Sequence, residues 1–173
     1  MGRNSFGTMN RWSVATLALA LLSPASACSR HNLTLGPSGY GAVVFGQPLA
    51  AARQALGQPA DGRRLNPDCD VVMFKAYPGV RFMVEKGVIT RADLQDLTLP
   101  NSTGITAGMT LEDIRRRHPE ATIHPHKYDP KGHTIVIRAV GEPRAVVLEE
   151  SQGRITRIRA GLQPAVEYVE GCG

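Results

Sequence analysis

Apolar and polar positions fall into three regimes along this chain. Between Val14 and Leu22 the residues are apolar almost without interruption. Over 49–56 and 111–118 apolar residues return at helical spacing. Leu49, Ala52 and Leu56 form the first stripe, and Leu111, Ile114 and His118 the second, each set sharing one helix face. Elsewhere, short apolar or alternating runs sit between Gly, Pro and Asp, as strands do. "VVMFKAY" (71–77), "VRFMVE" (80–85) and "GVITRADL" (87–94) predict one antiparallel meander, turning at Pro78-Gly79 and Lys86-Gly87. "TIHPHKY" (122–128), "HTIVIRAV" (133–140), "RAVVLEE" (144–150) and "RITRIRAG" (154–161) predict a second, turning at Asp129–Gly132 and Gly141–Pro143.

The helix ends are marked as well. Thr110 is a good N-cap, and Asp113 three residues later completes something close to a capping box. Pro119 stops that helix by pushing His118 away from α geometry. Pro48 suits the start of the first helix, where its missing N–H costs nothing, and Gly57 with Pro59 ends it.

The two helix-plus-meander stretches echo each other. "FGQPLAAARQALGQP" (45–59) aligns with "AGMTLEDIRRRHPEA" (107–121) through Gly46/Gly108, Leu49/Leu111 and Ala52/Ile114. Gly-x-Ile-Thr-Arg occurs at Gly87–Arg91 and again at Gly153–Arg157. The offsets are 62 and 66 residues, reconciled by a net insertion of four. Two echoes in the same order predict an internal duplication. The expected fold is therefore α+β: two tandem units, 39–98 and 99–173, each a short helix packed on an antiparallel β-meander.

The apolar run near the N-terminus changes the picture of where the chain works. It follows Arg11, is too short to span a bilayer, and leads into Ala25-Ser26-Ala27-Cys28. That arrangement reads as a secretory signal peptide over 1–27, with 28–38 as a tether. Two processing outcomes stand: plain cleavage after Ala27, or lipidation of Cys28, since Ala-Ser-Ala-Cys resembles a bacterial lipobox. Resemblance to lipoproteins with Ser29 after the cysteine implies the periplasmic side of an outer membrane. The chain has three cysteines, an odd number for an oxidising compartment. If Cys28 carries lipid, Cys69 and Cys172 are left to form a disulfide.

Charge and composition exclude more than they assign. The 173 residues carry a formal charge of +5; from residue 28 onward 18 Lys and Arg face 15 Asp and Glu, a net of +3. The densest basic run, Arg115–Arg117, lies in a predicted helix and reads as a solvated face. With few aromatics beside it, no nucleic-acid surface is expected. There is no Gly-x-Ser-x-Gly elbow. Gly36–Gly41 is glycine-rich but has no P-loop lysine. Glu149 and Glu150 are adjacent on a strand and point to opposite faces, so they form no acid–base dyad, and Glu150 is read as part of the turn.

The candidate chemistry is the hairpin "IHPHKYDPKGH" (123–133). With Asp129–Gly132 as loop, Tyr128 faces His133, His126 faces Ile135 and His124 faces Ile137. His124, His126 and His133 then share one face, the geometry of a weak metal site or of a metal-dependent hydrolase. No acidic residue is expected on that face to orient the imidazoles, and Ile135 with Ile137 imply that it touches the core. Half-buried histidines are the expectation, with no metal and no cofactor.

Gly-Met-Thr-Leu-x-x-Ile at 108–114, with later strands carrying Gly-x-Ile-Thr, resembles the repeat of small bacterial envelope lipoproteins. These include the accessory lipoprotein of the outer-membrane β-barrel assembly machinery. The tandem helix-plus-sheet unit is similar to that of the β-lactamase-inhibitor protein. "AGLQPAVEYVEGCG" with "HKYDPKGH" looks like a group of uncharacterised exported bacterial proteins. The assembly lipoprotein's Leu-Gly-x-Pro helix ending stands at Leu56–Pro59 but not in the second copy. These likenesses imply a non-enzymatic envelope protein that binds a protein or glycan partner, attached to a membrane through lipid on Cys28. The alternatives are the histidine hydrolase and an inhibitor of a periplasmic enzyme.

Overall fold

The computed structural model describes residues 1–2 and 33–172. Residues 3–27 of the expected signal peptide, Cys28 and the start of the expected tether lie outside the described residues. From residue 33 the chain forms a two-stranded ribbon, β1 (Gly39–Tyr40) and β2 (Val43–Val44), and then helix α1 (Leu49–Leu56). Four strands follow: β3 (Asp61–Asn66), β4 (Cys69–Met73), β5 (Val80–Glu85) and β6 (Val88–Leu94). Helix α2 (Leu111–Arg117) precedes four more: β7 (Thr122–Pro125), β8 (His133–Arg138), β9 (Arg144–Ser151) and β10 (Arg154–Leu162). All eight pair antiparallel in one sheet, in the order β3-β4-β5-β6-β10-β9-β8-β7. The fold class is α+β, as expected. The seam between the two sets of strands is β6 against β10, where Asp93 faces Arg159 and Ala92 faces Ala160.

Both helices are short and depend on their ends. The Thr110 hydroxyl accepts from the Asp113 N–H, and the Asp113 carboxylate accepts from the Thr110 N–H at 3.0 Å. These bonds, with Arg116 beside them, hold the Asp113 carboxyl down at about 2. Pro48 caps α1 at its start, and Gly57 ends it in the left-handed region at φ 62°, where glycine pays no Cβ penalty. Ala52 and Ile114 are the fully buried residues of the two stripes, with Leu49, Leu56 and Leu111 partly buried beside them. His118 leaves the stripe as a polar anchor, one ring nitrogen against the Thr103 carbonyl and the other against Glu120.

Register assigns each strand residue to a face. Val72, Phe82, Ala92, Ile135, Val146, Leu148, Ile158 and Ala160 share the face under α1, α2 and the β1–β2 ribbon, and make the main core. Leu35, inside the stretch expected to be a tether, is fully buried in that core and bridges Asn101.

The opposite face is crossed by the C-terminal segment. After β10 it makes a short 3-10 turn at Ala165–Glu167 and ends at Cys172, which is disulfide-bonded to Cys69 on β4. Two small apolar clusters lie beneath this strap: Val136, Ala145, Val147 and Val166 near β9, and Met83, Ala165, Cys69 and Cys172 near β4.

Strand β3 has no counterpart in the expected elements. Its sequence, "DGRRLN", neither alternates nor concentrates β-branched residues. It forms because Gly62 lets the strand lie against Val72, whose side chain a Cβ there would meet at 2.7 Å.

Candidate functional site

The histidine hairpin forms, but its register differs from the expected one. His124 pairs with Thr134, Ile123 with Ile135 and Pro125 with His133. The shift is an odd number of residues, so it exchanges the faces. His133 lies on the core side with Ile135, whereas His124 lies on the strap side with Thr134. The cause is local. The Nδ1 atom of His126 accepts the N–H of Tyr128 at 3.2 Å and of Asp129 at 3.0 Å, which curls 126–129 out of the ladder and ends β7 at Pro125.

Each histidine has separate surroundings. His133 donates from Nδ1 to Glu150 at 2.6 Å. His126 presents Nε2 to Glu149 at 3.5 Å. His124 is exposed. Acidic partners therefore face two of the imidazoles, contrary to expectation. Among the described residues no three His, Cys, Asp or Glu side chains gather as a metal-ligand set. Glu150 lies within β9 rather than in the turn, and from there it accepts the Gly153 N–H at the turn. Glu149 points to the other face, as strand geometry requires.

The functional geometry lies on the strap side. Arg91 and Asp93 on β6, Glu149 on β9, and Arg157 and Arg159 on β10 all project from that face near the seam. Arg159 has no exposed surface. It donates from Nε to the Val166 carbonyl at 2.6 Å and from Nη1 to Glu149. Its Nη2 is buried without a partner among the described residues. Arg91 commits every guanidinium nitrogen. Nε and Nη2 clamp Asp93 at 2.8 and 2.6 Å, and Nη1 donates to the carbonyls of Tyr168 at 2.6 Å and Ala165 at 3.3 Å. The strap is thus pinned from below by two arginines, which satisfy carbonyls that no strand partners.

Glu149 is the hub. Burial pushes its carboxyl up, but the hydrogen bond and charge of Arg159, with Arg157 at 3.3 Å and His126, more than offset this and hold it below its ordinary value. Burial drives the Arg159 guanidinium down; its hydrogen bond to Glu149 opposes that, and Arg91 nearby adds to it.

Between the strap and the exposed part of this face runs a groove. It comprises two adjoining hollows of about 220 and 340 Å³ that share Arg81, Asp93, Gln95 and Arg157, walled on one side by Val169–Cys172. Apart from Cys172, expected in the disulfide, and His126, a metal candidate, none of these groove or network residues was singled out as a site residue from sequence. One signal did point there: the Gly-x-Ile-Thr-Arg echo ends on Arg91 and Arg157, and both line the groove.

No family model matches the chain, and no curated protein does. Among solved structures it is similar to the uncharacterized protein YfeY of Escherichia coli. That match has a TM-score of 0.47 at 14% identity, over 74% of this chain and 99% of that one. It is also similar to an extracellular protein containing an SCP domain from Bacillus anthracis, with a TM-score of 0.41 at 9% identity, over 69% of this chain and 44% of that one. Likenesses this distant carry no argument here. Among the described residues no helix is long and apolar enough to cross a membrane.

Proposed function

We propose that this chain is a non-enzymatic module of the bacterial envelope that binds a glycan or protein partner through the groove on its strap-side face. The groove carries this reading. It is concave, lined by a few convergent polar groups, and floored by a buried charge network, as binding sites commonly are. Its side chains include no nucleophile with an adjacent base. The hydrolase reading would rest on His124, His126 and His133; His126 and His133 are engaged by separate carboxylates, and His126 also by the turn it holds.

Export by the 1–27 leader and attachment through lipid on Cys28 belong to the same proposal. The Cys69–Cys172 bridge supports it, because disulfides persist in oxidising compartments. So does the duplication. Both copies of Gly-x-Ile-Thr-Arg begin at a two-residue turn with positive φ at both central residues, Lys86-Gly87 and Gln152-Gly153. Both place their threonine, Thr90 and Thr156, at a register shift. The mirrored strand order about the β6–β10 seam fits two fused helix-plus-meander units, as in the lipoprotein and inhibitor folds that the sequence resembles.

The test is chemical-shift mapping of the oxidised protein against fractionated envelope glycans and proteins, with mass analysis of whatever binds. Shifts at residues 81, 93–95, 157 and 169–171, with the ligand recovered unchanged, support the reading. Recovery of a cleaved ligand, or shifts confined to 124–133, overturns it.

A further inference from the structure

The groove also specifies the chemistry of its occupant, an inference that rests on the binding-module reading. Most charges around it are already matched. Asp93 is clamped by Arg91, Glu170 pairs with Lys127 at 2.6 Å, and Glu149 is held by Arg159. Two guanidiniums remain. The Arg81 side chain makes no hydrogen bond or ion pair among the described residues. Arg157 engages only Nε, at 3.3 Å from Glu149, and its side chain is 63% exposed, leaving both terminal nitrogens open. The Gln95 side-chain amide lies with them, also without a partner among the described residues.

These open donors share one concavity over a floor that cannot rearrange, since Arg91 has no free nitrogen and Arg159 is sealed under the strap. The planar fork of an arginine matches the two oxygens of a carboxylate or phosphate, and such charge-assisted bonds are the strong ones. A groove with this surplus of open cationic donors disfavours a neutral ligand, which would leave them unmatched and partly desolvated. The two hollows have room for a small group. We propose that the groove is an oxyanion site: Arg81 and Arg157 straddle the carboxylate or phosphate of a small acidic ligand, such as an acidic sugar, and Gln95 donates beside them.

The experiment titrates the oxidised, exported protein with sodium glucuronate, inorganic phosphate and glucose, following arginine side-chain and backbone resonances. Glucuronate or phosphate shifts the Arg81 and Arg157 side chains and the amides of Gln95 and Val169–Gly171, and glucose does not. Whichever of the two anions binds more tightly identifies the oxyanion. Arg81→Gln and Arg157→Gln each weaken binding by about tenfold or more, as the loss of a charge-assisted hydrogen bond requires. Arg154→Gln, the same charge change at an exposed position, leaves it unaltered. Equal weakening by Arg154→Gln means general attraction to a basic protein only and overturns the proposal. Glucose bound in the groove and indifferent to Arg81→Gln overturns the oxyanion while leaving the binding module standing. No shift in the groove with these probes or with envelope fractions overturns both.

Discussion

Replacing Cys69 and Cys172 together by alanine tests whether the strap is a structural closure or a loose tail. The two cysteines are 103 residues apart. Cross-linking a loop of this length removes denatured-state entropy worth roughly 4–5 kcal/mol, and observed values usually fall short of that. Other contacts hold the strap in the folded state. Arg91 and Arg159 grip the carbonyls of Ala165, Val166 and Tyr168, Lys127 reaches Glu170, and Asn66 donates to the Cys172 carbonyl at 3.1 Å. The fold therefore survives without the bridge, and the loss falls mainly on its stability against complete unfolding. We expect urea unfolding followed by circular dichroism to show about 3–5 kcal/mol less stability. At about 2–4 °C per kcal/mol for a chain of this size, the midpoint drops by roughly 6–20 °C. Amide exchange of Tyr168–Gly171 rises more than that of β10, because Val169–Gly171 lose their anchor while the arginines still hold Ala165 and Val166. A double variant within about 1 kcal/mol of the parent, with unchanged exchange in the strap, refutes the reasoning: the bridge would then close nothing that the arginines do not already hold.

Glu149→Gln leaves Arg159 buried without its counter-charge and should cost about 3–5 kcal/mol in urea unfolding. Glu149→Leu combined with Arg159→Met should cost less than the sum of the two single changes, read from a double-mutant cycle. Acid sensitivity follows from the same carboxylate. Its folded value lies below the ordinary 4.5, so its stabilisation is complete above 4.5 and is lost as pH falls through the folded value; Glu149→Gln should flatten that part of a stability–pH curve. Thr110→Ala removes one half of the α2 capping box and should cost about 1 kcal/mol, again by urea unfolding. Gly161→Ala sets a methyl group against the Thr90 carbonyl and 2.8 Å from the Arg91 Cα across the seam. Because backbone cannot yield there, we expect at least about 1–3 kcal/mol of destabilisation; a neutral result would contradict the close approach of β6 and β10.

The parts of the fold that announced themselves in sequence were those governed by neighbours in the chain. Seven of the eight strands of the large sheet overlap the short apolar runs that predict them, although β4 shares only 71–73 with the expected 71–77 and β7 stops at Pro125, and both helices lie between their capping signals. Strand β3 was hidden because its pairing depends on a distant contact, Gly62 against Val72, rather than on its own composition. The hairpin register was misjudged for a related reason. The turn rule treats Asp129–Gly132 as the whole loop, but the His126 ring takes two backbone N–H groups and lengthens it.

The candidate site was hidden by a subtler effect. Arg91 and Asp93, and Arg157 and Arg159, alternate with apolar residues, and polar alternation on a strand ordinarily means a solvated face. That inference fails here because residues 163–172 lie across the face. Of its side chains only Ala165, Val166 and Cys172 are buried, and its carbonyls at 165, 166 and 168 find no strand to pair with. Burying them unpaired would cost more than the strap's apolar contacts return. Arg91 and Arg159 resolve this by donating to those carbonyls, and Asp93 and Glu149 resolve the burial of the arginines. Charges that look solvated in sequence are thus what fixes the position of the strap. The groove follows from that placement: Val169–Cys172 stand where the arginines and the disulfide set them, and Arg81 and Arg157 remain open on the other side.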